Sequence, residues 1–334
     1  MRYECVVKRL ESNQIALIAR EIEESPPVQG GFVLLEVECS AVDVHYLERV
    51  LAAGQARQHW GSLGWCSLVG RVAQVGNEVN RIRVGDRVSA IGPVASRVVL
   101  PAQECLVVPD SIDADQAAYW ALIVALVRSV RRLRIEIGES VLVLGGGLVG
   151  NLVVQLSLVA GVALVVGLGS KREVNDNNLK AHEPGLAPTW IAHQDALQRA
   201  LPQGKVDILI DTLGDFGQLN HLLSLVQDEG RAMLLTANGA VPTDFDFYPN
   251  VHRRSLKLMS EGLRTALRHN PQGEARHTAE AEFVNYLCRN NRLHLADYTA
   301  TCVRPTHSIE QILPTPERTS LILEWRSPND DNVR

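Results

Sequence analysis

A short apolar run that leads into a glycine-rich turn constrains the fold of this chain more than any other stretch. Residues 141–144 read Val-Leu-Val-Leu and are followed by Gly145-Gly146-Gly147-Leu148-Val149-Gly150. The run is short and rich in β-branched valine, which favours a buried strand, and the apolar residues after Gly150 can continue as a helix. A second apolar run, residues 163–168, follows that helix. This order of strand, glycine-rich turn, helix and strand predicts a Rossmann-type unit.

Each glycine of this turn has a separate physical role in such a unit. Gly145 permits a tight turn, Gly147 lets a pyrophosphate approach the backbone, and Gly150 lets the helix pack closely on the strand. The backbone N–H groups of the first helical turn, at Leu148 and Val149, then face the phosphates of a dinucleotide. The alternative is a turn with a structural role alone. The second strand after the helix favours the dinucleotide site.

Length and pattern predict two domains. A chain of 334 residues is too long for one small core. Short strand-like runs fill residues 1–110 and indicate an all-β, barrel-like unit. Beyond residue 140, strands and helices alternate as in a doubly wound parallel sheet. Helices are predicted over residues 113–130 and 216–226, so the fold class is α/β.

The end of the chain also contains strand-like runs, at residues 299–303 and 320–324, which could return to the first unit. We therefore predict a Rossmann dinucleotide-binding domain of residues 121–265. It is inserted into a discontinuous β domain of residues 1–120 and 266–334.

Composition limits the class of partner. The formal net charge of −5 provides no basic surface for nucleic acid or for an anionic membrane. The six cysteines contain no Cys-x-x-Cys pair, which is typical of reduced thiols in a cytosolic protein. The N-terminal residues lack the apolar core of a signal peptide. We expect a cytoplasmic protein that acts on a small molecule and contacts neither nucleic acid nor membrane.

Three further motifs occur in a fixed order along the chain. Val75-Gly76 precedes Val84-Gly85-Asp86-Arg87-Val88, Asp115-Gln116-Ala117-Ala118 follows, and Ile137-Gly138-Glu139-Ser140 enters the glycine-rich strand. Together with that strand they resemble the medium-chain dehydrogenase/reductase superfamily from about residue 25 to residue 325. This superfamily includes zinc alcohol dehydrogenases and zinc-free quinone and enoyl reductases. The resemblance implies a GroES-like β domain, a substrate in the cleft between the two domains, and a homodimer.

The zinc-binding positions of the superfamily carry other residues here. Aligned on the flanking motifs, they fall at Asp43, at Gly64-Trp65-Cys66 and at or near Trp120. Catalytic zinc needs three His, Cys or carboxylate ligands, and tryptophan supplies none. The resemblance therefore implies a zinc-free member. A rearranged site built from Asp43, His45 and Cys66 is the alternative.

Without a metal, hydrogen bonds must polarise the acceptor. We predict Asp43, His45 and Tyr46 as catalytic residues, because histidine and tyrosine can donate a proton near neutral pH. The alternative is that Asp43 caps a helix under which His45 and Tyr46 pack. Trp65, Cys66 and Trp120 are predicted to line the substrate pocket.

The turn after the second strand indicates which nicotinamide dinucleotide binds. NAD enzymes of this type place an acid there, whereas this chain has Gly169 followed by Ser170, Lys171 and Arg172. Without the carboxylate, these side chains can bind a 2′-phosphate, which predicts NADPH. The alternative is a solvated basic turn. Other parallel strands are predicted to end near further cofactor contacts at Thr212, Thr236 and Asn238.

The sequence thus predicts a zinc-independent, NADPH-dependent oxidoreductase. It would transfer hydride to an enone, quinone, ketone or imine in the cleft between its domains. An alcohol/ketone dehydrogenase of the same superfamily is one alternative. A non-catalytic NADPH-binding subunit is the other.

Overall fold

The computed structural model describes residues 2–9, 15–23, 27–43, 61–62, 65–169, 188–192, 196–201, 204–214, 219–235, 245–267, 274–290, 292–294, 301–305, 311–313 and 320–325. The strands are β1 (Arg2–Arg9), β2 (Ile15–Ile22), β3 (Phe32–Asp43), β4 (Gly61–Ser62), β5 (Trp65–Val75), β6 (Arg87–Pro93), β7 (Arg97–Pro101), β8 (Leu106–Val107), β9 (Ser140–Leu144), β10 (Leu164–Leu168), β11 (Thr189–Ile191), β12 (Val206–Asp211), β13 (Val226–Leu234), β14 (Lys257–Ser260), β15 (Thr301–Val303), β16 (Gln311–Leu313) and β17 (Ser320–Glu324). The helices are α1 (Ala114–Ala117), α2 (Trp120–Leu133), α3 (Leu148–Val159), α4 (Leu197–Ala200), α5 (Leu219–Ser224), α6 (Leu263–Leu267) and α7 (Glu274–Arg289). None of the helices in these ranges has both the length and the apolar character needed to cross a membrane.

The chain folds into two compact units. The first contains Met1–Val124, Leu267–Tyr286 and Leu295–Arg334. The second contains Ala125–Ala266 and Leu287–His294. Helix α2 therefore begins in the first unit and ends in the second.

The first unit is built on two β-sheets. One has the strand order β15-β17-β3-β5-β6-β8, with β7 also paired to β3, and the other has the order β16-β2-β1-β4. The strand-like runs predicted at the start of the chain are confirmed as β1 and β2, which pair antiparallel along their whole length. The predicted strand at residues 320–324 is also confirmed as β17, which pairs antiparallel with β3.

Side chains along β3 alternate between the core and the surface. Val33, Leu35 and Val37 are buried, whereas Leu34 is half-buried and Glu36 is exposed. This period of two is that of a strand with one face on a hydrophobic core. The core of this sheet is formed by the buried residues Val33, Leu35, Val37, Leu68, Val72, Ile82, Val88, Ala90, Ala95, Val98, Leu100 and Cys105.

The motif at residues 84–88 forms a structural turn into β6. Gly85 has a φ of +92°, a conformation that favours glycine. The buried Arg87 guanidinium donates to Glu38 Oε2 at 2.9 Å and to the carbonyl oxygen of Ile112 at 2.6 Å. Arg87 thus ties β3 to the segment that leads into α1.

The second unit contains a parallel sheet with the order β11-β10-β9-β12-β13-β14. All neighbouring strands in this sheet pair in parallel. Numbered from β9, the order is the 3-2-1-4-5-6 of the Rossmann fold. The predicted α/β class with a doubly wound parallel sheet is therefore confirmed.

The helical segment predicted over residues 113–130 is confirmed, but a turn at residues 118–119 divides it into α1 and α2. Two serine hydroxyls of the sheet accept hydrogen bonds from backbone amides at the start of the second helix. The backbone N–H of Ala121 donates to Ser89 Oγ at 3.0 Å, and that of Leu122 donates to Ser67 Oγ at 3.3 Å. These hydroxyls satisfy the first amides of α2, as side chains at a helix N-terminus do.

Two other local predictions also differ from the structure. The predicted helix at residues 216–226 ends at Ser224, because Val226 already pairs with Val206 as the first residue of β13. Strand β11 was not predicted. It has three residues, too few to show a period of two, and it exists because it pairs with β10.

Candidate functional site

The strand order places a crevice at one point of the parallel sheet. β10 and β11 lie on one side of β9, while β12, β13 and β14 lie on the other. The order therefore reverses between β9 and β12, which end at Leu144 and Asp211. Ligands of open α/β sheets bind outside the carboxyl ends of the strands at such a switch point. The candidate site is built from the turns that follow these two strands.

The turn after β9 requires glycine at two positions. Gly145 has a φ of +103°, and a Cβ on it would lie 2.4 Å from Thr212 Oγ1. A Cβ on Gly150 would lie 1.8 Å from the carbonyl oxygen of Gly145. Helix α3 therefore packs against the turn more closely than any other residue would allow. The backbone N–H of Gly145 also donates to the carbonyl oxygen of Leu168 at 2.8 Å, which ties the turn to the end of β10.

The N-terminus of α3 presents backbone amides to this crevice. Gly147 is its N-cap residue, with a φ of −72°, and no side chain in the described ranges caps the helix. The first N–H groups of an α-helix have no partner within the helix. The side chain of Leu148 is buried and that of Val149 is half-buried, so what these residues offer a ligand is their backbone. Such a terminus suits the pyrophosphate of a dinucleotide.

The end of β12 closes the other side of the crevice. Thr212 Oγ1 donates to the carbonyl oxygen of Leu144 at 2.6 Å, so its proton is already used within the protein. The carboxylate of Asp211, which is 2% exposed, accepts from the N–H groups of Leu213 at 2.8 Å and of Gly214 at 3.1 Å. Thr212 lies where the sequence predicts a cofactor contact, and its hydroxyl shapes the turn. Asp211 was not predicted, although an acid that ends an apolar run is a usable signal.

A second residue that the sequence analysis missed lies on α3. The side chain of Asn151 is 3% exposed, and its Nδ2 lies 2.6 Å from the carbonyl oxygen of Gly146 and 3.0 Å from that of Gly147. The only sequence signal was a polar residue directly after the glycine-rich motif. Asn151 thus holds two carbonyls of the turn from within the helix.

The end of β10 carries the residues predicted to select the dinucleotide. The N–H of Gly169 donates to the carbonyl oxygen of Ile191 at 3.0 Å, which joins this end to β11. Gly167 gives room to the indole of Trp190, since a Cβ on Gly167 would lie 2.3 Å from that ring. Ser170, Lys171 and Arg172 lie outside the described residues. The predicted contacts Thr236 and Asn238 also lie outside them.

Among the predicted catalytic residues, the structure describes the backbone of Asp43 alone. Asp43 ends β3 and pairs with Ser320. His45 and Tyr46 lie outside the described residues. The rearranged zinc site from Asp43, His45 and Cys66 therefore depends on side chains that the structure does not describe.

Among the predicted pocket residues, Cys66 lies on the face of β5 opposite to the start of α2. Trp65 pairs with Pro93 at the start of β5. Cys66 packs against a core cluster that includes Cys5 and Val42. The neighbouring Ser67 instead bonds to the backbone of α2. Because successive side chains of a strand point to opposite faces, Cys66 points away from the helix that begins at Trp120.

The environments of Cys66 and Trp120 limit their chemistry. Burial raises the pKa of the Cys66 thiol to about 12, and a hydrogen bond with Ser40 opposes part of the shift. This thiol is therefore protonated at neutral pH, which disfavours nucleophilic attack. Trp120 is 1% exposed, and its buried Nε1 has no hydrogen-bond partner in the described part of the chain.

Comparison with known proteins gives several distant relatives. No model of a known protein family matches the chain. The chain is 26% identical, over 75% of its length, to the reducing polyketide synthase PKS1 of Cochliobolus heterostrophus, and spans 10% of that protein. It is 27% identical, over 43% of its length, to a trans-enoyl reductase of Gibberella fujikuroi, and spans 46% of that protein. The chain thus covers a tenth of the first relative and about half of the second.

Solved structures share the fold over nearly the whole chain. The CurK enoyl reductase superposes with a TM-score of 0.66 at 15% identity, covering 97% of this chain and 99% of its own. An alcohol dehydrogenase from E. coli, solved with NADH, has a TM-score of 0.66 at 14% identity and the same coverage of 97% and 99%. A protein from Sinorhizobium meliloti, solved with NADP, has a TM-score of 0.64 at 16% identity, again with coverage of 97% and 99%. At these identities the likeness shows the fold.

Proposed function

The chain has the medium-chain dehydrogenase/reductase fold, and we propose that it is an oxidoreductase that uses NADPH and no zinc. The single observation that carries this proposal is the crevice between β9 and β12. There, Gly145 and Gly150 admit no side chain, and the uncapped N-terminus of α3 offers its amides. This arrangement fits the pyrophosphate of a nicotinamide dinucleotide.

The choice of NADPH rests on the end of β10. Gly169 occupies the position at which an acid would bind the ribose 2′-hydroxyl of NADH. Lys171 and Arg172 follow, and their charges suit a 2′-phosphate. Proteins of this fold have been solved with NADH and with NADP, so the fold alone favours neither. The basic turn is what supports NADPH.

The absence of zinc from the proposed mechanism rests on the chemistry of the candidate ligands. Trp120 stands at one expected ligand position and has no metal-binding group. Cys66 stands at another, in place of a glutamate, and it packs against an apolar cluster. These residues do not fit a zinc centre. Hydrogen-bond donors must then polarise the acceptor.

We favour an activated carbon–carbon double bond, such as that of an enone, as the acceptor. When bound, NADPH would supply the hydride for the β-carbon, and a protein group would supply the proton for the α-carbon. His45 or Tyr46 is the proposed proton donor, because each can hold a proton near neutral pH. The relatives named as a trans-enoyl reductase and a reducing polyketide synthase support this class over a quinone or an imine. The alternative acceptor is a ketone, in an alcohol/ketone dehydrogenase.

The test is NADPH consumption with matched acceptors. Purified protein is mixed with NADPH and with an enone, its saturated ketone, a quinone or a cyclic imine. Consumption with the enone, together with formation of the saturated ketone, supports the proposal. Consumption with the saturated ketone favours the dehydrogenase instead. Tight NADPH binding without turnover of any acceptor, unchanged in His45→Ala, favours a non-catalytic subunit.

A further inference from the structure

The glycine-rich turn is held from inside the helix that follows it. Asn151 Nδ2 lies 2.6 Å from the carbonyl oxygen of Gly146 and 3.0 Å from that of Gly147. Carbonyl oxygens can only accept, so the NH₂ group of the side chain must face both of them. The side chain is 3% exposed, so water does not compete for these bonds. One buried amide therefore holds two successive carbonyls of the turn, and that of Gly147 also accepts from the backbone N–H of Asn151 at 3.0 Å.

Peptide planarity transfers this constraint to two N–H groups. In a trans peptide, the C=O and the N–H of the next residue point in opposite directions. The carbonyl of Gly146 faces Asn151, so the N–H of Gly147 points away from that side chain. In the same way, the carbonyl of Gly147 directs the N–H of Leu148. Both N–H groups belong to the uncapped start of α3.

We propose that Asn151 is a positioning residue for the pyrophosphate of the bound dinucleotide. This inference rests on the proposed nicotinamide cofactor. Asn151 acts through Gly147 and Leu148, whose N–H groups it directs before the cofactor arrives. Because the turn is already ordered, cofactor binding does not incur the entropy cost of ordering it. Loss of Asn151 should therefore raise the Kd of the cofactor.

Gln155 provides a matched control on the same helix. Its side chain is 5% exposed and lies one turn further from the glycines. Gln155 Nε2 donates to the carbonyl oxygen of His294 at 3.4 Å, and its Oε1 accepts from the N–H of His294 at 2.7 Å. Gln155→Leu thus removes a buried amide from α3 and leaves the bonds to the glycine-rich turn intact.

The test measures the Kd of NADPH and of NADH for the full chain and for Asn151→Leu and Gln155→Leu. Asn151→Leu keeps the size of the side chain and removes both bonds. We expect it to raise both Kd values by about tenfold and by the same factor, since both dinucleotides carry the same pyrophosphate. Gln155→Leu should leave both Kd values within about twofold of wild type, even where it lowers the Tm equally.

Two results overturn the inference. One is an Asn151→Leu variant that binds both dinucleotides as tightly as wild type. The other is a Gln155→Leu variant that weakens binding as much as Asn151→Leu does. If Asn151→Leu does not fold, Asn151→Asp replaces it, because aspartate keeps the shape of the side chain without the donor. Wild-type affinity for both dinucleotides in Asn151→Asp would also overturn the inference. If wild type binds neither dinucleotide, both the proposed function and this inference are wrong. If wild type binds them and Asn151→Leu binds them equally well, only the inference is wrong.

Discussion

The hydroxyl of Thr212 donates a hydrogen bond to the carbonyl oxygen of Leu144 over 2.6 Å. The backbone N–H of Thr212 donates to the same oxygen at 3.1 Å. These bonds join the ends of β12 and β9, the two strands between which the sheet order reverses. The protein therefore fixes one wall of the candidate cofactor crevice with its own side chains.

Thr212→Val should lower the free energy of unfolding by about 1 kcal/mol, because it keeps the shape of threonine and removes the donor to Leu144. Chemical denaturation of the purified protein measures this change. Thr212→Ser keeps the hydroxyl and should lose less. A larger loss in Thr212→Ser than in Thr212→Val would show that the methyl group, and not the hydrogen bond, stabilises this wall.

Gly150→Ala should raise the Kd for NADPH by about tenfold to a hundredfold. The added Cβ would lie 1.8 Å from the carbonyl oxygen of Gly145, so α3 or the turn must move. Gly262→Ala in the same unit is the control, since its Cβ would come no closer than 3.5 Å to Thr265 Oγ1. NADPH titration of both variants is the measurement. Wild-type affinity in Gly150→Ala would contradict the close packing of helix and turn.

Gly167→Ala should destabilise the second unit by about 1–3 kcal/mol through overpacking. Its Cβ would lie 2.3 Å from the indole of Trp190. A double variant, Gly167→Ala with Trp190→Leu, should be less destabilised than the sum of the two single variants, because the smaller side chain leaves room for the methyl group. Additive losses, measured by urea denaturation, would mean that the two residues do not share this space.

Alkaline pH should reveal how much the half-buried Cys66 contributes to stability. Its pKa rises from 9.0 to about 12 in the folded protein, so the unfolded chain loses this proton first. The stability associated with the protonated thiol is therefore complete below about pH 9 and is lost as the pH rises further. The difference in unfolding free energy between wild type and Cys66→Ala should shrink over that range. A difference that stays constant with pH would place this thiol in contact with solvent.

The order and type of the main elements could be predicted because their signals are local. The apolar run before Gly145 and the apolar repeats after it correspond to strands of the parallel sheet. Two glycines with a clear geometric need, Gly145 and Gly150, are also those of the sequence motif. Such positions can be predicted from the sequence because only glycine can occupy them without a steric clash.

Features that depend on distant partners could not be predicted. Nothing near Ala121 shows that Ser89, from another strand, would begin a new helix there. A lone Asn151 in an apolar segment does not reveal the direction of its amide. Cys66 and Trp120 were grouped as pocket residues by their positions in the chain, but the alternation of β5 turns the Cys66 thiol away from the start of α2. The turn at residues 170–172 remains a prediction from the sequence.

The most direct test of the central claim is the affinity of wild type and Arg172→Ala for NADPH and NADH. The proposed 2′-phosphate contact predicts that wild type binds NADPH more tightly than NADH. It also predicts that Arg172→Ala weakens NADPH by about tenfold or more and leaves NADH nearly unchanged. Equal losses for the two dinucleotides, or a wild-type preference for NADH, would contradict this account.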